Sequence, residues 1–512
     1  MRPLFDYWRQ HPLRTILLVG LLIRLLSVVY SKGFGMVDDH FVVVKPAQKL
    51  LDGTDVGFWY LDKSDGRAFS KRSVLYPGFV YWQFYALEAV GITNPQTKML
   101  FVRLLHALYN LLVPLFGFLI ARRLAGERAA RIAGLMLALY WWMPILSVRN
   151  LNEVVSMPLV MFAGWMGLQT LKESRKWHWP LLLGLALGLA FSVRFQNLFF
   201  AGGVGLALLW YRQWRAILWF SLGVVVPIVV VHGLVEGFVF GYPLFGKVMR
   251  YIEYNLTNSN SYVNGQWYNY VLLISGILVP PISIFLWAGF IKMRKHLILV
   301  LPVLLFLVFH SMFPSKQERF ILPMIPLFIA IGVAGWVEIA EKWNWALRHP
   351  KIIRGSWVFF WSLNVLALLV VSPAYTKRSR VESMTFLSDT PQHNAFVLEE
   401  SNRKSSFSVP LYYLGSKAQI YKVFKQTDRA EFCQQVFASP DSLWPNHVLI
   451  VTDKKRTERV AQIEECLGPL QLETLIQPSH LDRLLHWLNP VNRNEAIWIY
   501  KTSPKAVAPG QQ

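Results

Sequence analysis

Charged side chains are scarce in this chain, and acids are scarcer than bases. Asp, Glu, Lys and Arg make up 16% of the 512 residues, against about 25% in soluble globular proteins. Within that small share, 30 acids face 52 bases, a formal net charge of +22. Cysteine is nearly absent. Only Cys433 and Cys466 occur, both in the C-terminal region, and no CxxC or Cys/His cluster with metal-ligand spacing is present, so a structural zinc site is not expected. Internal repeats and low-complexity segments are also missing, apart from a tail after Ser503 that reads as disordered. No small-residue cleavage site follows the first apolar run, so Thr15 to Tyr30 reads as a retained span and not as a removed signal peptide.

What the chain has instead is apolar sequence in long runs. Hydrophobic residues make up 54% of it, and runs near the roughly 20 residues that a helix needs to cross a bilayer recur from Thr15 to Val371. A lipid-exposed backbone must satisfy its own polar groups, so these runs are expected to be helices. The approximate spans are 15–31, 98–121, 130–148, 154–171, 179–193, 197–211, 216–235, 269–291, 297–313, 320–340 and 355–372. The pattern predicts an all-α polytopic membrane protein with about eleven transmembrane helices.

The bases lie in short clusters between the runs. Arg2, Arg9 and Arg14 precede the first span. Arg122, Arg123, Arg128 and Arg131 form the second cluster, and Lys172, Arg175 and Lys176 the third. Arg212 with Arg215, then Lys292, Arg294 and Lys295, and last Lys342, Arg348, Lys351 and Arg354 complete six. Placing all six in the cytoplasm orients every segment consistently, with an out-and-back hairpin between successive clusters. That distribution argues against nucleic acid as a partner and for membrane lipid. It puts the N-terminus inside, the C-terminus outside, and two long segments, 32–97 and 236–268, on the outer face. Within the first, Ser73 to Val90 is apolar and aromatic and reads as an interfacial or re-entrant helix.

After Tyr375 the composition turns polar. Val448–Val451 and Ala496–Tyr500 read as strands, and Arg456–Leu467 has helical periodicity. The expected organisation is a transmembrane domain over 1–375 and a small soluble α/β domain over 376–512. Cys433 and Cys466 are close to each other in neither sequence nor motif, and their pairing is left open.

Three features carry chemistry. Asp38 and Asp39, followed by His40, lie just after the first span. A carboxylate there can serve as a general base or position a hydroxyl, although paired acids are also common in solvated loops. Arg72 and the pair Lys316 and Arg319 place cations at the outer boundary, where the positive-inside rule disfavours them. They suit phosphate binding, or snorkelling to lipid headgroups. Glu153, Arg194 and Glu236 are placed on the same face. Glu153 and Arg194 either line a cavity or pair with each other.

In the order of these features the chain resembles glycosyltransferase family 22, the mannosyltransferases of lipid-linked oligosaccharide and GPI assembly, within the GT-C membrane superfamily. Members carry His-Pro-Asp-Glu after the first span, then an aromatic residue and a Pro-Ala pair. Here Asp38-Asp39-His40-Phe41 is followed by Lys45-Pro46-Ala47. Their Arg-Ser-x-x-x-Pro segment is matched by Arg72, Ser73 and Pro77. Their His-Lys-Glu-x-Arg-Phe loop is similar to Ser315-Lys316-Gln317-Glu318-Arg319-Phe320, with Pro323 and Pro326 after it. Met36 and Val37 stand for His-Pro, Asp39 for Glu, Ser315 for His, and Gln317 falls at the expected Glu.

The resemblance implies a GT-C-type bundle and an inverting, cofactor-free transfer of mannose or another hexose. The donor would be a lipid-phosphate-linked sugar (polyprenyl phosphate), and the acceptor a glycan or glycolipid of a lipid-linked or cell-envelope pathway. Asp38 would be the base and Asp39 its positioning neighbour. Lys316, Arg319 and Arg72 would hold the donor phosphate, and His40, Glu318, Glu153 and Arg194 would contact substrate. The expected location is a bacterial cytoplasmic (inner) membrane with the active site on its outer face, the endoplasmic reticulum being the alternative. Rival readings are a lipid-linked glycan transporter or flippase, another GT-C-like envelope transferase, and a degenerate glycan-binding subunit. A transporter is expected to show inverted repeats and mid-membrane charges, and neither is evident in the sequence.

Overall fold

The computed structural model describes residues 2–53, 73–258, 264–390, 394–404 and 408–505. It divides into two compact units. The first comprises Met1–Val29, Lys49–Tyr85 and Phe101–Pro373, and the second Tyr30–Gln48, Ala86–Leu100 and Ala374–Gln512. The second unit therefore takes in two segments of the outer loop as well as the C-terminal residues.

The first unit is a bundle of apolar helices. Six helices are long and apolar enough to cross a membrane among the described residues: Pro12–Tyr30, Pro95–Leu139, Asn152–Lys172, Trp214–Val239, Glu318–Lys342 and Pro350–Val371. The 45-residue Pro95–Leu139 breaks at Ala125 and Gly126, where Gly126 takes a φ of 77° that only glycine adopts freely. Three shorter apolar helices, His178–Val193, Phe195–Trp210 and Leu297–Met312, occupy positions expected of spans. The run at 130–148 is not one helix, because the helix ends at Leu139, Tyr140 is extended and Met143–Leu146 is a separate turn. The run at 269–291 also departs from a single helix. It is a pair, Asn269–Ile277 and Ile282–Lys295, bent by 119°. Pro280 and Pro281 at the break lack the N–H that a continuing helix would donate.

Lipid tails give no hydrophobic drive between helices, so close packing holds the bundle together. A Cβ at Gly289 would fall 1.9 Å from the Gly332 carbonyl oxygen, and one at Gly184 2.2 Å from that of Phe220. Glycine at these places lets backbones touch. Glu318–Lys342 is the most enclosed of the six spans and Pro350–Val371 the least. Ser73 to Val90 forms a helix, Leu75–Ala89.

The C-terminal part of the second unit is the expected α/β domain. Its strands are β1 (Ala395–Glu400), β2 (Gln419–Phe424), β3 (His447–Val451), β4 (Gln471–Ile476) and β5 (Ile497–Lys501), in the order β2-β1-β3-β5-β4. β1 pairs parallel with β2 and β3, while β5 pairs antiparallel with β3 and β4. β1 and β3 are buried along their whole length, which is why their sequences read as continuous apolar runs. Helices Arg429–Phe437 and Arg456–Leu467 cover the sheet through Phe432, Val436, Ile463 and Leu467. Cys433 and Cys466, one on each helix, are joined as a disulfide with Cα atoms 5.6 Å apart.

Candidate functional site

The residues singled out from the sequence fall into two groups, one in each unit. Arg72 lies outside the described residues.

In the first unit the group is built on helix ends. Glu153 stands in the first turn of Asn152–Lys172, where the helix dipole favours a carboxylate. It is buried, and its Oε1 accepts the Nη1–H of Arg194. Arg194 leaves His178–Val193 in extended conformation and starts the 3-10 turn Phe195–Asn197, which turns its guanidinium back toward Glu153. Glu153 and Arg194 are therefore paired with each other. Arg319 joins from a third element. Its Nε lies 3.7 Å from the same carboxylate oxygen and donates to Gln317 Oε1 at 2.9 Å. Both guanidinia lie against the Phe320 ring, at 5.1 and 5.6 Å. One carboxylate thus faces two cations, and the network carries net positive charge.

Lys316 has a different task. Its ammonium donates to the carbonyl oxygens of His310 (2.8 Å), Ser311 (2.7 Å) and Phe313, closing the C-terminal end of Leu297–Met312. Burial holds its pKa below the usual lysine value. The loop around it is pinned by Tyr270, whose hydroxyl donates to Gln317 O (3.1 Å) and accepts Gln317 N–H (3.2 Å). Glu318 is exposed at the start of the 3-10 segment Glu318–Met324.

A second buried acid belongs to the same end of the bundle. The π-helical segment Val229–Val239 carries His232 and Glu236, both fully enclosed. Glu236 Oε2 is 3.0 Å from His232 Nδ1, and its Oε1 accepts the N–H of Val74 at 3.1 Å. The Phe195 ring packs edge-on to His232 at 5.2 Å, next to Arg194 in the chain. Lys247, on Gly246–Thr257, is buried over the Tyr242 ring at 4.2 Å, and burial pulls its pKa down to about 7 against the opposing charge of Glu236. His232 was missed by the sequence reading. A His inside the run 216–235, with a Glu four residues on at its edge, was the available signal, because polar groups so placed require a partner.

In the second unit Asp38 and Asp39 lie on the single turn Val37–Asp39, which continues as the π turn His40–Val44. Asp39 is buried, and its Oδ2 accepts the N–H groups of Gly35 (2.7 Å) and Met36 (3.4 Å), closing its own turn. Asp38 is partly exposed. His40 is buried between aromatic rings, stacked on Phe34 at 5.1 Å and Tyr413 at 5.5 Å. Burial, with the charge of Lys45, lowers its pKa to about 3, so the imidazole is neutral. The segment is stitched to residues just past the last span. Ser31 Oγ donates to Ala374 O (2.9 Å), Thr376 N to Lys32 O (3.2 Å) and Thr376 Oγ1 to Phe34 O (2.9 Å). Among the described residues, no three His, Cys, Asp or Glu side chains are grouped to hold a metal ion.

The model of the Alg9-like mannosyltransferase family matches residues 15–409. GPI mannosyltransferase 3 of Yarrowia lipolytica is 22% identical over 386 residues, 74% of this chain and 71% of that protein. ArnT from Cupriavidus metallidurans bound to undecaprenyl phosphate covers 97% of this chain and 99% of its own at 15% identity, with a TM-score of 0.59. Its apo form gives 0.61 over 95% and 97% at the same identity. The Archaeoglobus fulgidus oligosaccharyltransferase in complex with Zn and sulfate gives 0.54 over 88% and 70% at 13% identity. These structures share the GT-C fold with this multi-pass membrane chain. Three quarters of the sequence lies within the family match, and the chain is a glycosyltransferase that belongs to the Alg9-like mannosyltransferase family.

Proposed function

We propose that the enzyme transfers mannose, or another hexose, from a polyprenyl-phosphate donor to a lipid-linked or cell-envelope glycan, at the non-cytoplasmic face of a bacterial cytoplasmic membrane. The acceptor hydroxyl oxygen attacks the anomeric carbon opposite the phosphate and gives its proton to a carboxylate, for which Asp38 is the candidate. The bond from the anomeric carbon to the phosphate oxygen breaks, and the lipid phosphate departs with the negative charge. Asp39 shapes the turn that carries Asp38. Arg319 and Arg194 face the departing phosphate, with Glu153 fixing their orientation, and Lys316 holds their loop.

One observation carries this reading beyond family membership: two guanidinia converge on a single buried carboxylate. A preorganised excess of positive charge in a water-poor site stabilises a developing phosphate anion without reorganisation at the moment of reaction. ArnT, of the same fold, has been crystallised with undecaprenyl phosphate, which supports a lipid-phosphate donor.

The test is transfer from radiolabelled polyprenyl-phosphate mannose to host glycolipid in membranes carrying the wild type, Asp38→Asn or Asp39→Asn at equal protein level. Loss in Asp38→Asn with residual transfer in Asp39→Asn is expected. Undiminished transfer in both removes these acids from the mechanism.

A further inference from the structure

The second unit carries an amphipathic helix whose apolar face is exposed among the described residues. Helix His480–Leu488 presents Leu484, Leu485, Trp487 and Leu488 to the surface, and Val491 follows in the next turn. Trp487 is 77% exposed, Leu488 64% and Val491 81%. A soluble domain rarely leaves so contiguous a group of large apolar side chains uncovered.

The opposite face of this helix is tied to the chain where it leaves the membrane. Asp482, buried, accepts the backbone N–H groups of Lys377 (2.9 Å) and Arg378 (3.0 Å). Lys377 Nζ donates to Asn492 O (2.8 Å) and Asn494 Oδ1 (2.6 Å), and Arg380 Nη2 to Arg493 O (2.9 Å). Lys377 is the sixth residue past the last span, Pro350–Val371. At about 3.5 Å per residue that stretch reaches roughly 20 Å when fully extended. A second tether shortens the reach, because Thr376 N donates to Lys32 O, two residues past the first span. The buried face of the helix is thus bonded to residues that follow the last span directly in the chain.

Charge agrees with this location. From Gln477 to Asn494 the only acid is the buried Asp482, whereas Arg483 and His480 are exposed. A short helix with a Trp and Leu face, an exposed arginine beside it and no exposed carboxylate is suited to the boundary between headgroups and acyl chains.

We propose that His480–Leu488 and Val491 dock in the outer headgroup layer of the bilayer, fixing the C-terminal domain against the membrane surface. Both native cysteines are consumed in the disulfide and no free thiol remains, so single cysteines can be labelled cleanly in the full chain. Leu488→Cys, Val491→Cys and, on the solvent-exposed side of another helix, Glu465→Cys would be labelled with a nitroxide. The protein would be placed in vesicles of mixed zwitterionic and anionic phospholipid. Collision rates with oxygen and with a water-soluble nickel chelate then report depth. The expected result is an oxygen-to-nickel ratio at both 488 and 491 several-fold above that at 465. A nickel accessibility equal to that at 465 overturns the proposal in favour of a solvent-facing patch. Low collision with both reagents overturns it in favour of a protein covering, from this chain or another copy. Two labelled positions, one on the helix and one beyond it, keep the result independent of any single substitution.

Discussion

The carboxylate of Glu153 and the guanidinium of Arg194 meet across 41 residues of sequence as a buried ion pair. Arg319 approaches the same oxygen, so the two single removals differ. Glu153→Gln leaves two cations without their acid, whereas Arg194→Gln leaves Glu153 still facing Arg319. Removing one partner of a buried pair costs about 3–5 kcal/mol. Glu153→Gln is expected at the top of that range and Arg194→Gln below it. Thermal unfolding of both variants and of the double variant tests this. Strict additivity would show that the pair contributes no coupling.

Lys316 and Arg319 are three residues apart and are expected to fail differently. Lys316→Met removes the donor from three carbonyl oxygens and is expected to lower stability by about 1–2 kcal/mol. Activity of the protein that remains folded should change little. Arg319→Lys keeps the charge but loses the planar fork. It should lower kcat at least tenfold, about 1.4 kcal/mol in the barrier, with little change in Tm. Kinetics alongside a melting curve for each variant separates the two effects.

His40 gives a pH signature. Its folded pKa, about 3, lies below the usual 6.5. The unfolded chain therefore takes up the proton first, and stability falls as pH drops from 6.5 toward 3. The slope approaches about 1.4 kcal/mol per pH unit from this one group. His40→Phe preserves stacking on Phe34 and Tyr413 and is expected to flatten the acid limb of Tm against pH while retaining transfer. A large loss of transfer at unchanged stability would restore His40 as a substrate contact.

The disulfide closes a loop of 33 residues between two sheet-covering helices. In the chain-entropy picture such a loop contributes about 3–4 kcal/mol. Cys433→Ser with Cys466→Ser is expected to destabilise the C-terminal domain by that amount, and protease sensitivity of this region is the readout. Native protein should take up no thiol reagent, and two equivalents after reduction.

Much of the architecture follows from the sequence because its cause is local. Helices long enough for a bilayer need only apolar length, and the charge clusters between them set their order, so most spans appear where the apolar runs begin and end. Val448–Val451, Ala496–Tyr500 and Arg456–Leu467 were legible for the same reason. The break within 269–291 was decided by Pro280 and Pro281, whose effect a hydropathy window averages away.

The site divides differently. Its residue types could be read from motifs, and family membership rests on such patterns. Partners could not. Lys316 and Arg319 share a short motif, yet one ammonium closes a helix end while the other cation joins Glu153. Asp39 accepts the N–H groups of its own turn, a role its neighbour Asp38 in the same motif gives no sign of in the sequence. His40 is enclosed by rings, one of them more than 370 residues along the chain. Sequence by itself determined where the long apolar helices lie, since that depends on the transfer of each segment from water to lipid. Only the tertiary structure decided which buried charges meet, because a buried charge is satisfied by whatever the fold brings within hydrogen-bond distance.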